Sequence, residues 1–199
     1  ISYLGLAMLS CIILSVLFLS INLENTRHRE TLYTQEKLCL IAEDLEHQLE
    51  SFEKINLLIS VDKLYQPFYF TRNKYYELTL LNDFTQYRNY SPLITEYFLY
   101  YQNYDTIFHS DEYTTDLNTY LSDLTDDDCL QLTRMLNTTN QTSFFYSSKA
   151  LFVLMPLSIH TSDLSNAVLC LVITPEALRQ RFQTVSGGLD GTISLYADT

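Results

Sequence analysis

The first 23 residues, ISYLGLAMLSCIILSVLFLSINL, form one apolar run without a charged side chain, and the first ion is Glu24. Coiled as a helix at 1.5 Å per residue the run reaches roughly 34 Å, enough for a hydrocarbon core of about 30 Å. A secretory h-region is shorter, about 7–15 residues, and ends at a small-x-small site. The exit here, Ser20-Ile21-Asn22-Leu23-Glu24, is a poor cleavage signal, and lipoprotein-type cutting at Cys11 would leave the apolar run Ile12 to Leu23 on the mature end. The pattern predicts a transmembrane helix over 1–23, with the lipid bilayer as partner.

Neither Gly nor Pro occurs between Leu6 and Gln66, so the helix is expected to continue through 24–66. Within it Leu38, Leu45, Phe52 and Ile59 recur every seven residues, with Gln35, Ala42, Leu49 and Asn56 in a second row. Such a seam can pack on the helix's own domain, as the wider face made by Ile41 and Ile55 favours, or pair two copies of the helix in a homodimer. The polar residues in the second row weigh against the homodimer.

Beyond Pro67 the pattern shortens. A loop, YQPFYFTRN, leads to a helix predicted over 74–90, where Tyr76, Leu80, Leu81, Phe84 and Tyr87 share a face and Pro92 ends the run. Glu96 to Gln102 and Thr106 to Ser110 read as a hairpin about Asn103-Tyr104-Asp105. A polar section follows, in which Thr125 before Asp126, Asp127 and Asp128 predicts an N-capped helix over DDDCLQLTRML. A calcium loop would need alternating ligands and a glycine turn, which this run lacks. SFFYSS, KALFVLMPLSI and NAVLCLVIT read as antiparallel strands, with a polar turn at His160 to Ser165. Pro175 opens a helix that ends at Ser186-Gly187-Gly188, and GTISLYADT reads as a further strand.

Composition narrows the function. With 24 Asp and Glu against 12 Lys and Arg, a formal net charge of −12, the segment has no phosphate-binding character and no nucleic-acid contact is expected from it. Arg27 and Arg29 weakly oppose an outside location, yet the acidity of the long segment that follows places the bulk of the chain outside the cell. The 16 Tyr and 11 Phe, with only four Gly and four Pro, describe a packed domain. Cys11, Cys39, Cys129 and Cys170 have no spacing for zinc or a redox pair, so no metal and no cofactor is expected. His109-Ser110-Asp111 contains the letters of a hydrolase triad, but neighbours on an extended segment point to opposite sides. Glu43 and His47, one helical turn apart, read as part of a solvated acidic face. No catalytic residue is assigned, and the chain is not expected to be an enzyme.

In this order, the span, the unbroken helix, the helix with aromatic spacing, EYFLYYQNYDTIFHSDEYTTD, the pair KALFVLMPLSI and NAVLCLVITPEALRQRF, and GTISLYADT resemble the extracytoplasmic double Cache sensor of bacterial membrane receptors. PFYFTRNKYYELTLLNDFTQYRNYSPLITEYFLYYQNYDTIFHSDEYTTD is most similar to Firmicutes receptors with a cytoplasmic AraC-type helix-turn-helix domain, and somewhat less to sensor histidine kinases. The resemblance implies an α+β fold, a long helix packed on a PAS-like antiparallel sheet. It divides the chain into the span 1–23, a helix 24–66, a distal lobe 67–187 and the first strand of a membrane-proximal lobe over 188–199. It also implies a sensor of a small molecule or cell-surface ligand that controls transcription. Amino-acid-binding Cache lobes use a Trp among their pocket residues, and this chain has none.

A pocket in such a lobe is expected on the outer face of the sheet, under the connection between Ser110 and Asn140. Tyr101, Tyr113 and Tyr146 are the candidate ligand-binding residues, since tyrosine supplies both a flat contact and a hydroxyl. Alternation leaves open which face of EYFLYYQ is inward, because Tyr97, Leu99 and Tyr101 compete with Phe98 and Tyr100. A histidine-kinase sensor, or a surface module that binds another protein and no small molecule, is the alternative. A polar enclosed cavity would favour sensing, and a filled lobe with an exposed apolar patch would favour the interaction module.

Overall fold

The computed structural model describes residues 3–67, 71, 74–157 and 167–187, and within the first helix the side chains from position 14 onward except 16 and 17. The expected strand over 188–199, the turn at 160–165 and most of the loop at 65–73 lie outside the described residues. The chain divides into two compact units, Ile1–Asp44 with Gln183–Thr199, and Leu45–Phe182.

The first element is a single helix, α1, Tyr3–Val61, unbroken as the lack of Gly and Pro predicts. Among the described residues no helix is long and apolar enough to cross a membrane. The side chains at 1–13, 16 and 17, most of the expected span, lie outside them. In the first unit Ile41 is buried, and α5, Pro175–Ser186, ends at Gly187 with φ +64, the left-handed position that glycine takes after a helix. A Cβ at that glycine would meet the Lys37 Nζ at 3.3 Å.

The second unit is an α+β lobe. Its six-stranded sheet has the order β3-β2-β1-β6-β5-β4, all antiparallel: β1 Glu96–Tyr101, β2 Thr106–His109, β3 Tyr113–Thr115, β4 Ser143–Tyr146, β5 Leu151–Leu157 and β6 Ala167–Ile173. One face carries residues 45–61 of α1 and α2, Lys74–Phe84, and the other carries α3, Leu117–Leu121, and α4, Asp126–Thr138. Of the heptad row, Leu45, Phe52 and Ile59 pack in this lobe, whereas Leu38 is exposed in the first unit. Phe52, Ile55 and Ile59 are fully buried against the sheet and Leu45 packs at the margin. Asn56 of the second row donates from Nδ2 to the Pro156 carbonyl at 3.3 Å, and Leu49 is exposed. Pro156 is tolerated because β4 pairs only with positions 151–154, so its missing N–H leaves no ladder bond unmade.

Both faces of β1 and β6 are covered, which is why alternation could not choose. Tyr97, Leu99 and Tyr101 join Phe52, Ile59 and Phe84 in one core; Phe98 and Tyr100 join Leu117, Leu132 and Leu136 in the other. Every residue of β6 is buried.

The helix expected over 74–90 ends as an α-helix at Phe84 and tightens into a 3₁₀ segment over 85–90. Leu80, Leu81, Phe84 and Tyr87 are buried as its spacing requires, but Tyr76 is 40% exposed. The Thr125 cap is formed: its hydroxyl accepts from the Asp128 N–H at 3.3 Å. The polar stretch after Ser110, left without elements in the sequence reading, contains β3 and α3. Asp116 caps α3, with its carboxylate accepting from the Thr119 N–H and hydroxyl at 2.9 and 2.7 Å.

Candidate functional site

A cleft of about 440 Å³ opens on the face of the sheet that carries α2. Phe108, one of the buried residues of β2, forms its floor, and Thr114 and Thr115 of β3 form one wall. Glu77 of α2 faces them, and its Oε1 accepts from the Thr114 hydroxyl at 2.9 Å. Tyr104, Asp105 and Thr106 from the hairpin, Asp116 and Thr71 complete the rim.

Local sequence places each of these groups. Asp105 sits at φ 45, a left-handed turn position that aspartate tolerates, and this closes the β1–β2 hairpin. Asp116 stands one residue past β3 because it caps α3, and the backbone N–H and hydroxyl of Thr119 hold its carboxyl below the usual carboxylate range. Among the described residues the lining includes three carboxylates, four threonines and no Lys, Arg or His. A wall of this kind accepts hydrogen bonds more readily than it donates them, and it matches a small molecule rich in hydroxyl or amine donors.

A second polar cluster lies on the opposite face, where β2 turns into β3. His109 is only 2% exposed. Its Nδ1 accepts from the Asp111 N–H at 3.1 Å, so in the neutral ring the proton resides on Nε2. The nearest acceptor for Nε2 is Glu96 Oε2 at 3.5 Å, too long for a well-formed bond. The imidazole stacks on Tyr113, with ring centroids 4.4 Å apart and planes at 23°, and touches the Tyr120 ring at 5.6 Å. Asp111 forms an ion pair with Arg88, and its other oxygen lies 3.8 Å from His109 Nδ1. The imidazole beside Glu96 holds that carboxyl below the ordinary range against the opposing effect of burial. Burial pushes the Tyr120 hydroxyl up.

The three tyrosines chosen from the sequence are not brought together. Tyr101 is fully buried on the α1 side, where its hydroxyl donates to the Tyr65 carbonyl. Tyr113 is 42% exposed in the edge strand β3, and Tyr146 is 69% exposed in the opposite edge strand β4. The outer face expected to hold a pocket is filled instead. The connection between Ser110 and Asn140 folds into α3 and α4, whose Leu117, Leu121, Leu132 and Leu136 seal that face.

Among the described residues no three His, Cys, Asp or Glu side chains cluster as metal ligands, and Cys39, Cys129 and Cys170 are free. Ser110 Oγ accepts from the Tyr97 N–H at 3.4 Å rather than meeting the neighbouring imidazole. Glu77 and Thr114 were missed because 37 positions separate them and no local pattern links them. Asp116 carried a readable signal, an aspartate three residues before Thr119 and directly before an apolar residue. Compared with protein-family models, curated proteins and solved structures, the chain matches none.

Proposed function

We propose that the chain is the extracytoplasmic ligand-sensing part of a membrane-anchored receptor, and that the cleft between Glu77 and Thr114 holds the ligand. The observation that carries this reading is the cleft itself: about 440 Å³, floored by an aromatic ring and walled by hydroxyls and carboxylates. An antiparallel sheet with helices on both faces agrees with the PAS-like lobe that the resemblance implies. The anchor is supported by the uncharged run 1–23, within which Leu14, Phe18, Leu19, Ile21 and Leu23 are all exposed on the chain by itself. In this reading the bilayer is the partner that covers them, and the output is a cytoplasmic AraC-type domain. Ligand binding works by favouring one of two arrangements of the lobe, and α1, which contributes Phe52, Ile55 and Ile59 to the core, carries the difference.

The test is thermal unfolding of the 199-residue chain in detergent with sugars, amines, peptides and organic acids. A compound rich in donors is expected to raise the melting point, by the equivalent of about 2.7 kcal/mol at a hundredfold excess over its Kd. Glu77→Gln should abolish that rise while the unliganded melting point stays in place. A rise that ignores Glu77→Gln, or no rise with any class, removes the cleft from the account.

One observation favours a second reading, a module that docks another surface protein. The edge strand β4 presents Phe144 at 49% and Tyr146 at 69% exposure, beside backbone groups with no neighbouring strand among the described residues. Replacing both by Ser would abolish partner capture under this reading and leave small-molecule binding intact under the first.

A further inference from the structure

We propose that His109 is a proton-operated latch on the turn between β2 and β3. Gain of a proton releases the Asp111 amide and loosens the strand that forms one wall of the cleft.

The geometry supplies two sets of partners for one ring. In the neutral ring Nδ1 accepts from the Asp111 N–H at 3.1 Å, while the buried Nε2 has no acceptor at normal distance. In the charged ring both nitrogens donate. Nε2 then has the Glu96 carboxylate at 3.5 Å and Nδ1 has the Asp111 carboxylate at 3.8 Å, so each N–H of the single cation faces a carboxylate. The cost is specific. A protonated Nδ1 cannot accept, so the Asp111 amide loses its bond, and the Asp111 carboxylate is drawn from Arg88 toward the imidazolium.

Charged and titratable groups face the ring from several elements. β1 contributes Glu96, the turn contributes Asp111 and the exposed Glu112, β3 contributes Tyr113, and α3 contributes Tyr120. Arg88, from the segment after α2, faces the cluster through Asp111. Cys170 of β6 lies two strands away on the same face, and burial raises its thiol, so it stays neutral. Two carboxylates thus stand close to the ring, with one guanidinium behind them. Imidazole is the side chain whose ordinary titration falls between about pH 5 and 8.

The turn is a place where such a change matters. β3 is three residues long and among the described residues pairs only with β2, and Glu112 within the turn stands at φ 62. Thr114 and Thr115 of the cleft wall, and then Asp116, follow directly. The latch rests on the His109 geometry alone, and only its effect on ligand binding rests on the cleft reading.

The test uses the 199-residue chain in detergent micelles, following imidazole ¹⁵N shifts and amide exchange at about pH 8 and about pH 5. At the higher pH the His109 proton should sit on Nε2; at the lower both nitrogens should be protonated. Protection of the Asp111 amide, corrected for intrinsic exchange, should fall by roughly five- to tenfold, the worth of one lost backbone hydrogen bond. His109→Asn places an uncharged acceptor near the Nδ1 position and should make that protection independent of pH. A proton on Nδ1 at the higher pH overturns the latch without any variant. Unchanged protection in the parent chain, or the same fall in His109→Asn, overturns it as well. These readouts need no ligand, so a failure of the cleft leaves them standing.

Discussion

The Tyr97 hydroxyl donates to the Phe84 carbonyl at 2.6 Å, and the two rings meet edge to face with centroids 4.8 Å apart. A strand residue thereby ties β1 to the junction where α2 passes into the 3₁₀ segment, adding a second bond to the carbonyl that caps that segment. Tyr97→Phe keeps the ring and removes this bond. The expected loss is about 0.5–1.5 kcal/mol in urea unfolding with the slope unchanged, and a neutral result would show that the bond does not form.

Strong alkali should unfold the second unit. Burial raises the hydroxyls of Tyr65, Tyr97, Tyr101 and Tyr120 above the ordinary tyrosine range, and Asp83, which accepts from Tyr65 at 2.7 Å, adds to the rise there. Between the ordinary value of about 10 and the raised ones the folded state binds more protons than the unfolded state, so stability falls as pH rises. Each such tyrosine contributes a slope of up to about 1.4 kcal/mol per pH unit, fully absent below that window. Tyrosinate absorbance should therefore appear together with loss of circular dichroism. Ionisation of these four in a chain that stays folded would contradict their burial.

The cap on α4 can be tested by itself. Thr125→Ala removes the oxygen that accepts from Asp128 N–H and should cost about 1 kcal/mol, while Thr125→Ser should cost a few tenths. Equal losses for the two would assign the effect to the methyl group instead.

The phase of α1 on the sheet separates two neighbours on one helix. Phe52→Ala should cost about 3–5 kcal/mol, because Phe52 is 2% exposed within the core. Leu57→Ala, at a position 62% exposed, should stay within about 0.5 kcal/mol. Comparable losses at both would mean that a partner covers the outer side of the helix.

The legible parts of the fold were those written in contiguous residues. The hairpin about 103–105, the Thr125 cap, the apolar runs of β5 and β6 and the start of α5 at Pro175 each carry their own signal. The faces of β1 were not legible, since a strand covered on both sides shows no alternation. α3 and β3 were missed because five and three residues give too little periodicity, and only the aspartate cap marks the helix. The face expected to hold a pocket is filled for a related reason. A polar connection was read as a cover over empty space, whereas Leu117, Leu121, Leu132 and Leu136 are spaced to seal it. Tyrosine content pointed to Tyr101, Tyr113 and Tyr146, but the sheet sends one into the core and the others to opposite edges.

The double covering of β1 also bears on how the chain is made. β1 leaves the ribosome before its neighbour β6, because residues 102–166, 65 positions, separate Tyr101 from Ala167. During that interval the uncharged, aromatic run at 97–101 lacks the strand that flanks one of its edges, an exposure through which such a composition sticks to other nascent chains. Glu96 and Asp105 stand at its two ends as gatekeepers until the later strand arrives.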